Sequence, residues 1–301
     1  MKKIYVTGSS GLVGSRFVEL YSQKYNLFTP DYPKVDITKK DDVDKLLKKE
    51  KPDAIVHLAA YTNVGEGEKQ RGNKGGGCWQ INVEGTRNLV SSLDPKQTQY
   101  IHISTDNVFS GLANDPGPYL EDHPLELDAL KLTWYGYTKA EAEREVRKCL
   151  GENSTIVRII YPVRAKYDLK LDYLRKPLSL FDQGKLYPLF NDQQISIAFI
   201  DEVAEALDRI VEGDLRGIFH VSSRDTATPY ELISYMIEKA RGRVGVVKST
   251  SLKDYLKTID NPVRYPMYGG LKVGKTEEAL EMKLRTWKEI VDEIVRQQKS
   301  I

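Results

Sequence analysis

Tyr135 and Lys139 stand four residues apart in the run Tyr135-Gly136-Tyr137-Thr138-Lys139. On a helix that spacing puts a phenol and an ammonium on one face. A free tyrosine, with a pKa near ~10, is a poor acid at neutral pH. A lysine one turn away is expected to stabilise the phenolate and lower that pKa, so that the pair shuttles a proton near neutrality. Ser104 and Thr105 close an apolar strand just upstream, and a hydroxyl from either would hold a carbonyl or alkoxide oxygen in place. The second chemical element is Thr7-Gly8-Ser9-Ser10-Gly11-Leu12-Val13-Gly14, which follows the apolar run Lys3–Val6 and opens a helical pattern. Strand, glycine-rich turn and helix in that order form a dinucleotide-binding fingerprint. Together the two motifs describe hydride transfer, with a cofactor cradle and a proton donor.

The Tyr-x-x-x-Lys spacing occurs three times, at Tyr135/Lys139, Tyr235/Lys239 and Tyr268/Lys272. Tyr235 lies among Leu232, Ile233, Met236 and Ile237, an ordinary amphipathic helix face, and Tyr268 precedes Gly269-Gly270, which favours a turn. Only the Tyr135 copy follows a complete strand–helix series and a Ser-Thr pair.

In the cradle, Gly8 suits the tight turn, Gly11 the approach of the backbone to a pyrophosphate, and Gly14 close helix–sheet packing. The amides around Ser10, Leu12 and Val13 would face the phosphates, aided by the helix dipole. Asp31 follows the second strand near the ~20-residue position of an acid that binds the adenosine ribose. Its charge would repel a 2′-phosphate and so favours NAD(H) over NADP(H); Arg16 and Lys34 would soften that preference, or else each serves a surface salt bridge. Asp36 and Ile37 are expected to border the adenine, and the small residues of Leu58-Ala59-Ala60-Tyr61 suit the approach of a cofactor backbone.

These residues need a scaffold. Strand-like runs recur at 3–7, 26–29, 54–58, 99–104, 155–160 and 217–221, with helical periodicity at about 12–24, 39–50, 82–93 and 136–150, then 229–241 and 286–299. Such alternation predicts an α/β fold: a Rossmann-type, doubly wound parallel sheet with a smaller, discontinuous C-terminal substrate-binding lobe. The cofactor domain is expected to take residues 1–165 plus about 194–221, and the substrate lobe 166–193 and 222–301. One charged, glycine-rich stretch, 65–77, has little to bury and reads as a mobile surface loop or a lid over the site.

Composition narrows the function classes. The chain has 301 residues, 40% of them hydrophobic, and its 45 basic and 43 acidic residues balance, leaving no nucleic-acid footprint. Cys78 and Cys149 make neither a disulfide framework nor zinc-ligand spacing, and no metal site is expected. No apolar run approaches the ~18 residues that span a bilayer, and Met1-Lys2-Lys3 leads straight into a strand, which argues for a cytoplasmic protein away from membranes.

The chain resembles the extended short-chain dehydrogenase/reductase superfamily and, within it, the dTDP-4-dehydrorhamnose reductase family. The matching stretches are TGSSGLVG (7–14), PDAIVHLAAYTNV (52–64), INVEGT (81–86), ISTDNVFSG (103–111), YGYTKAEAE (135–143), DQQISIAFIDEVA (192–204) and GIFHVSS (217–223). The resemblance implies an NAD(P)H-dependent reductase of a 4-keto nucleotide sugar, with a tendency to form homodimers. It maps the catalytic set to Thr105, Tyr135 and Lys139 and puts Asn82 near the cofactor, although Asn82 serves equally to tie adjacent backbone together. It implies that Thr105, Asp106, Asn107 and Tyr161 contact the substrate; Arg264 is expected to reach the nucleotide pyrophosphate through its planar fork, or else to make a surface ion pair. The chain departs from the family's usual pattern at Asn107, where a tyrosine is common, at Ile195-Ser196-Ile197-Ala198, and at 65–77. Two other readings compete: a nucleotide-sugar epimerase or dehydratase, since Asp106 follows the threonine, and a non-catalytic regulatory subunit like the β subunit of methionine adenosyltransferase.

Overall fold

The structure is a computed structural model in which residues 1–30, 32–259 and 265–299 are described. Six strands build its main sheet: β1 (Lys3–Thr7), β2 (Asn26–Phe28), β3 (Ala54–His57), β4 (Gln99–Thr105), β5 (Thr155–Ile159) and β6 (Gly217–Val221), in the order β2-β1-β3-β4-β5-β6. β1 runs parallel to both β2 and β3, and β3 parallel to β4, in a register that sets His57 beside His102. All of β3 and β4 are buried, which is why they read as near-continuous apolar runs. The strand order turns about β1, so the glycine turn after β1 stands at a topological switch point, where open α/β sheets bind ligands.

The longer helices that matter here are α1 (Gly14–Tyr21), α2 (Lys40–Glu50), α3 (Gly85–Ser91), α4 (Trp134–Leu150), α5 (Ile200–Glu212), α6 (Pro229–Arg241) and α7 (Trp287–Lys299). α1 is shorter than its periodicity suggests. The stretch expected as one helix from 82 begins instead with a π-helical turn at Gln80–Glu84, which widens the backbone around buried Asn82 before α3.

Packing divides the chain into two units. The first comprises Met1–Phe109, Pro124–Arg158 and Ala204–Phe219; the second comprises Ser110–His123, Ile159–Val203 and His220–Ile301. The first unit's core joins Tyr5, Ile55, Tyr100 and Ile156 of the sheet to Val43, Leu47, Leu89 and Val146 of its helices. In the second, Ile195, Ile197 and Phe199 pack with Leu232, Met236 and Ile237 of α6 and Ile290, Val291 and Ile294 of α7. The periodicity did not foretell that 110–123 joins the second unit. Backbone bonds account for it: Tyr268 N donates to Gly111 O at 3.0 Å, Tyr119 N to Gly270 O at 3.0 Å, and Lys272 N to Tyr119 O at 2.7 Å. No helix among the described residues is long and apolar enough to cross a membrane.

Candidate active site

The cradle is built by backbone contact. Gly8 has φ +65°, and a Cβ there would fall 2.7 Å from Ala59 N; a Cβ on Gly14 would fall 2.3 Å from Gly8 O. Glycines therefore let the turn seat against the end of β3 and let α1 begin directly behind it, with Gly11 N donating to Gly8 O at 3.0 Å. Thr7 locks the two strand ends together. Its hydroxyl oxygen accepts from Leu58 N and Ala59 N, each at 3.1 Å, and so donates to His57 Nδ1 at 2.7 Å. His57 must then carry its proton on Nε2, facing Thr86 Oγ1 at 3.2 Å, while the Thr86 hydroxyl donates to Asn82 O at 2.7 Å. Burial and the charge of Lys139 hold His57 neutral, with its pKa down to about 3. This one-way chain of donors ties the glycine turn to the π-helical turn, and a site of this form fits the pyrophosphate and ribose of a dinucleotide.

The second cluster gathers at the end of β4. Thr105 Oγ1 donates to Asp106 Oδ1 at 3.2 Å, and Asn107 donates from N to Thr105 Oγ1 at 3.2 Å and from Nδ2 to Asp106 Oδ1 at 3.0 Å. α4 starts against this turn: Thr133 caps it by accepting from Gly136 N at 3.0 Å, and a Cβ on Gly136 would meet Asn107 O at 2.1 Å. The glycine beside Tyr135 thus allows the close approach that brings the phenol within hydrogen-bond reach of Thr105. Burial raises the Asp106 carboxyl to about 7, against hydrogen bonds from Thr105 and Asn107 that pull it down.

The expected pKa logic needs correction here. Lys139 Nζ is turned toward β4, donating to Ile103 O at 2.7 Å and lying 3.1 Å from His102 Nε2. The Tyr135 phenol is pushed well above the usual tyrosine value by burial and by the nearby Asp106 carboxylate, and the Thr105 hydroxyl is what lowers it. Lys139 is itself lowered to about 8 by burial, with Glu143 acting the other way. Tyr135 is therefore held protonated and ready to donate.

The glycine-rich stretch is a folded element of the first unit, in place of the mobile loop that its composition suggests. It holds a short helix at Val64–Glu68, and two charged side chains reach out of it to the segment before Tyr135. Glu68 accepts from Trp134 N at 2.9 Å, and Arg71, paired with Glu68, donates to the carbonyls of Ala129 at 2.6 Å and Leu132 at 2.7 Å. A carboxylate also suits the positive end of α4.

The other expected residues divide. Asn82 spends its side chain on tying: its Oδ1 accepts from Tyr61 N at 2.8 Å and its Nδ2 donates to Thr138 Oγ1 at 2.9 Å. Asp36 closes a local turn by accepting from Thr38 N at 3.0 Å, and Ile37 packs against Gly85. Ser10, Leu12, Val13 and Leu58-Ala59-Ala60 line the turn and the strand end, none of them fully buried. Tyr161 belongs to the second unit, where its ring lies 4.2 Å from Tyr173, at φ +38°. Asp31 and Arg264 lie outside the described residues. Of the other Tyr-x-x-x-Lys copies, Tyr235 bonds Asp292 of α7 at 3.1 Å and Tyr268 bridges Gln194, so both are structural. Sequence reasoning missed Thr7, His57, Thr86 and His102. Their one signal was a histidine inside each of two apolar strands, since a buried polar group must find a partner.

The family model described as "RmlD substrate binding domain" matches residues 1–300. A dTDP-4-dehydrorhamnose reductase of Aggregatibacter actinomycetemcomitans is 24% identical, covering 98% of this chain and 98% of its own. A probable low-salt glycan biosynthesis reductase, Agl14, of Haloferax volcanii is 27% identical over 92% of this chain and 91% of its own. The dTDP-4-dehydrorhamnose reductase of Bacillus anthracis, solved in complex with NADP, has the same fold, with a TM-score of 0.83 at 22% identity over 98% of this chain and 99% of its own. With the family model spanning nearly the whole chain, this protein belongs to the RmlD substrate-binding-domain family.

Proposed function

We propose that the chain is an NAD(P)H-dependent reductase of a 4-keto nucleotide sugar, similar to dTDP-4-dehydrorhamnose reductase, serving nucleotide-sugar and polysaccharide biosynthesis. The observation that carries this reading is the convergence of Thr105, Tyr135 and Lys139 at the end of β4, beside the glycine cradle. Gly8, Ser10, Gly11, Leu12, Val13 and Gly14 hold the cofactor phosphates; Asp31, Asp36 and Ile37 hold its adenosine end; Leu58, Ala59, Ala60, Tyr61 and Asn82 line the remainder. Bound there, the nicotinamide supplies the hydride. Thr105 positions the carbonyl oxygen, and the Tyr135 phenol gives that oxygen its proton as the carbonyl carbon is reduced. Lys139, an ammonium below about pH 8, completes the set from its place against β4. Asp106, Asn107 and Tyr161 contact the sugar, and Arg264 pairs with the pyrophosphate. The first unit acts as cofactor domain and the second as substrate lobe. The resemblance further supports a homodimer working in the cytoplasm.

Oxidation of NADH and of NADPH, followed at 4-keto nucleotide sugars of different base and sugar, tests the proposal. Consumption of either with stoichiometric alcohol product supports it; turnover of none rejects it. A dehydratase or epimerase is the second reading, favoured by Asp106, whose raised pKa makes it a proton donor beside Thr105. It would convert a 4-hydroxy nucleotide sugar with no net cofactor consumption.

Two predictions belong here. Asp31 is assigned to the ribose, so Asp31→Ala should weaken NADH binding and improve the relative use of NADPH, because the repulsive carboxylate is gone. A wild type that already strongly prefers NADPH would remove Asp31 from the ribose. Glu68→Ala should release the Trp134 amide and the Arg71 clamp, lowering turnover by roughly 10- to 100-fold through misplacement of Tyr135, with cofactor affinity little changed. Unchanged turnover in a folded variant would make the 65–77 element irrelevant to the phenol.

A further inference from the structure

We propose that His102 is a positioning residue for Lys139: from the interior of β4 its Nε2 accepts a hydrogen bond from the lysine ammonium at 3.1 Å and, with the Ile103 carbonyl at 2.7 Å, fixes where that charge sits. The inference rests on the reading of Lys139 as a member of the catalytic set.

An ammonium has donors only, so His102 Nε2 must present its lone pair and the ring proton must sit on Nδ1. Nδ1 is buried and has no partner among the described residues. An unsatisfied buried donor of this kind is destabilising, a cost that an imidazole serving only to fill space would avoid. His57, its neighbour in register across the sheet, shows the contrast: both of its nitrogens are satisfied, in the opposite tautomer, by Thr7 and Thr86. Two adjacent buried histidines thus differ in tautomer because one of them faces a cation.

The lysine gains most from the arrangement. A free lysine side chain samples many rotamers, and two acceptors on β4 select one placement. His102 does not take the proton away, since burial, Lys139 and His57 hold its basicity far below normal. The titratable groups facing Lys139 are His102 on β4, His57 on β3, and on its own helix Glu143, which is paired with Arg158 of β5.

Two measurements test the proposal. In the full chain labelled with 15N-histidine, the ring signals that disappear in His102→Gln identify His102. They should show the Nδ1–H tautomer, with an unprotonated Nε2 that shifts in Lys139→Met, whereas His57 should show Nε2–H. This readout needs no substrate, so it decides the pairing even if no sugar is reduced and the functional reading fails. An Nε2–H tautomer at His102 overturns the proposal. In turnover, His102→Phe keeps the bulk but loses the acceptor, and a hydrogen bond to a charged group lost in this way should lower kcat by about tenfold and move the alkaline limb of the pH profile down by about half a pH unit or more. His102→Gln, whose amide oxygen can accept, should restore both. An alkaline limb that stays in place in His102→Phe also overturns the proposal.

Discussion

Tyr135→Phe should cut turnover by roughly 10²–10⁴-fold, the range for losing a general acid, while NADH or NADPH binding changes little. The ring and its packing are retained; only the proton is lost. The phenol's raised pKa sharpens the expectation, because burial and Asp106 keep it protonated throughout the neutral range, as an acid in the reductive direction must be. The same geometry sets the pH dependence. As pH rises through about 8 the Lys139 ammonium deprotonates and the catalytic set loses its positive charge, so kcat should fall on that side. Steady-state kinetics and fluorescence titration of the reduced cofactor check both statements. Tyr235→Phe and Tyr268→Phe serve as controls, since both residues belong to the second unit and the Tyr235 hydroxyl is held by Asp292. If either control abolishes hydride transfer while Tyr135→Phe does not, the active site lies elsewhere.

The second large effect concerns stability. Arg158 of β5 and Glu143 of α4 are both fully buried and joined by two hydrogen bonds, Arg158 Nε to Glu143 Oε1 at 2.9 Å and Arg158 Nη2 to Glu143 Oε2 at 2.7 Å, with the guanidinium 4.9 Å from the Phe109 ring centroid. Removing one member of such a pair strands the other charge in the core. Arg158→Met should therefore cost about 3–5 kcal/mol, measured as a fall in urea or thermal unfolding of the first unit. Taking out both charges is a different experiment. Arg158→Met combined with Glu143→Leu should recover most of that loss, because two apolar side chains of similar size need no partner. A single variant less than about 1 kcal/mol below wild type would mean that water reaches the carboxylate. The pair also matters to the site, since Glu143 sits one turn beyond Lys139 and its charge opposes the fall in that lysine's pKa.

The structure and the family both agree with the fold that can be read from the chain. Six apolar runs gave six strands within a residue or two, and the glycine spacing after the first of them marked the switch point, because strand burial and turn geometry are written in short-range pattern. The Tyr135/Lys139 spacing likewise needed only the helical period to put both groups on one face.

What the chain by itself determined was therefore the sheet, the turn after β1 and the placement of Tyr135 and Lys139 on one helix face. Tertiary structure decided how those groups behave. A phenol's acidity depends on what buries it and which charges approach, and these come from β4 and the turn after it, some thirty residues upstream of Tyr135. Lys139 faces a histidine and a carbonyl that no helical period reveals. The 65–77 stretch looked too polar to fold, yet Glu68 and Arg71 satisfy backbone groups more than fifty residues away. Composition cannot register such bonds, because each forms between a side chain and a backbone that only the completed fold brings together.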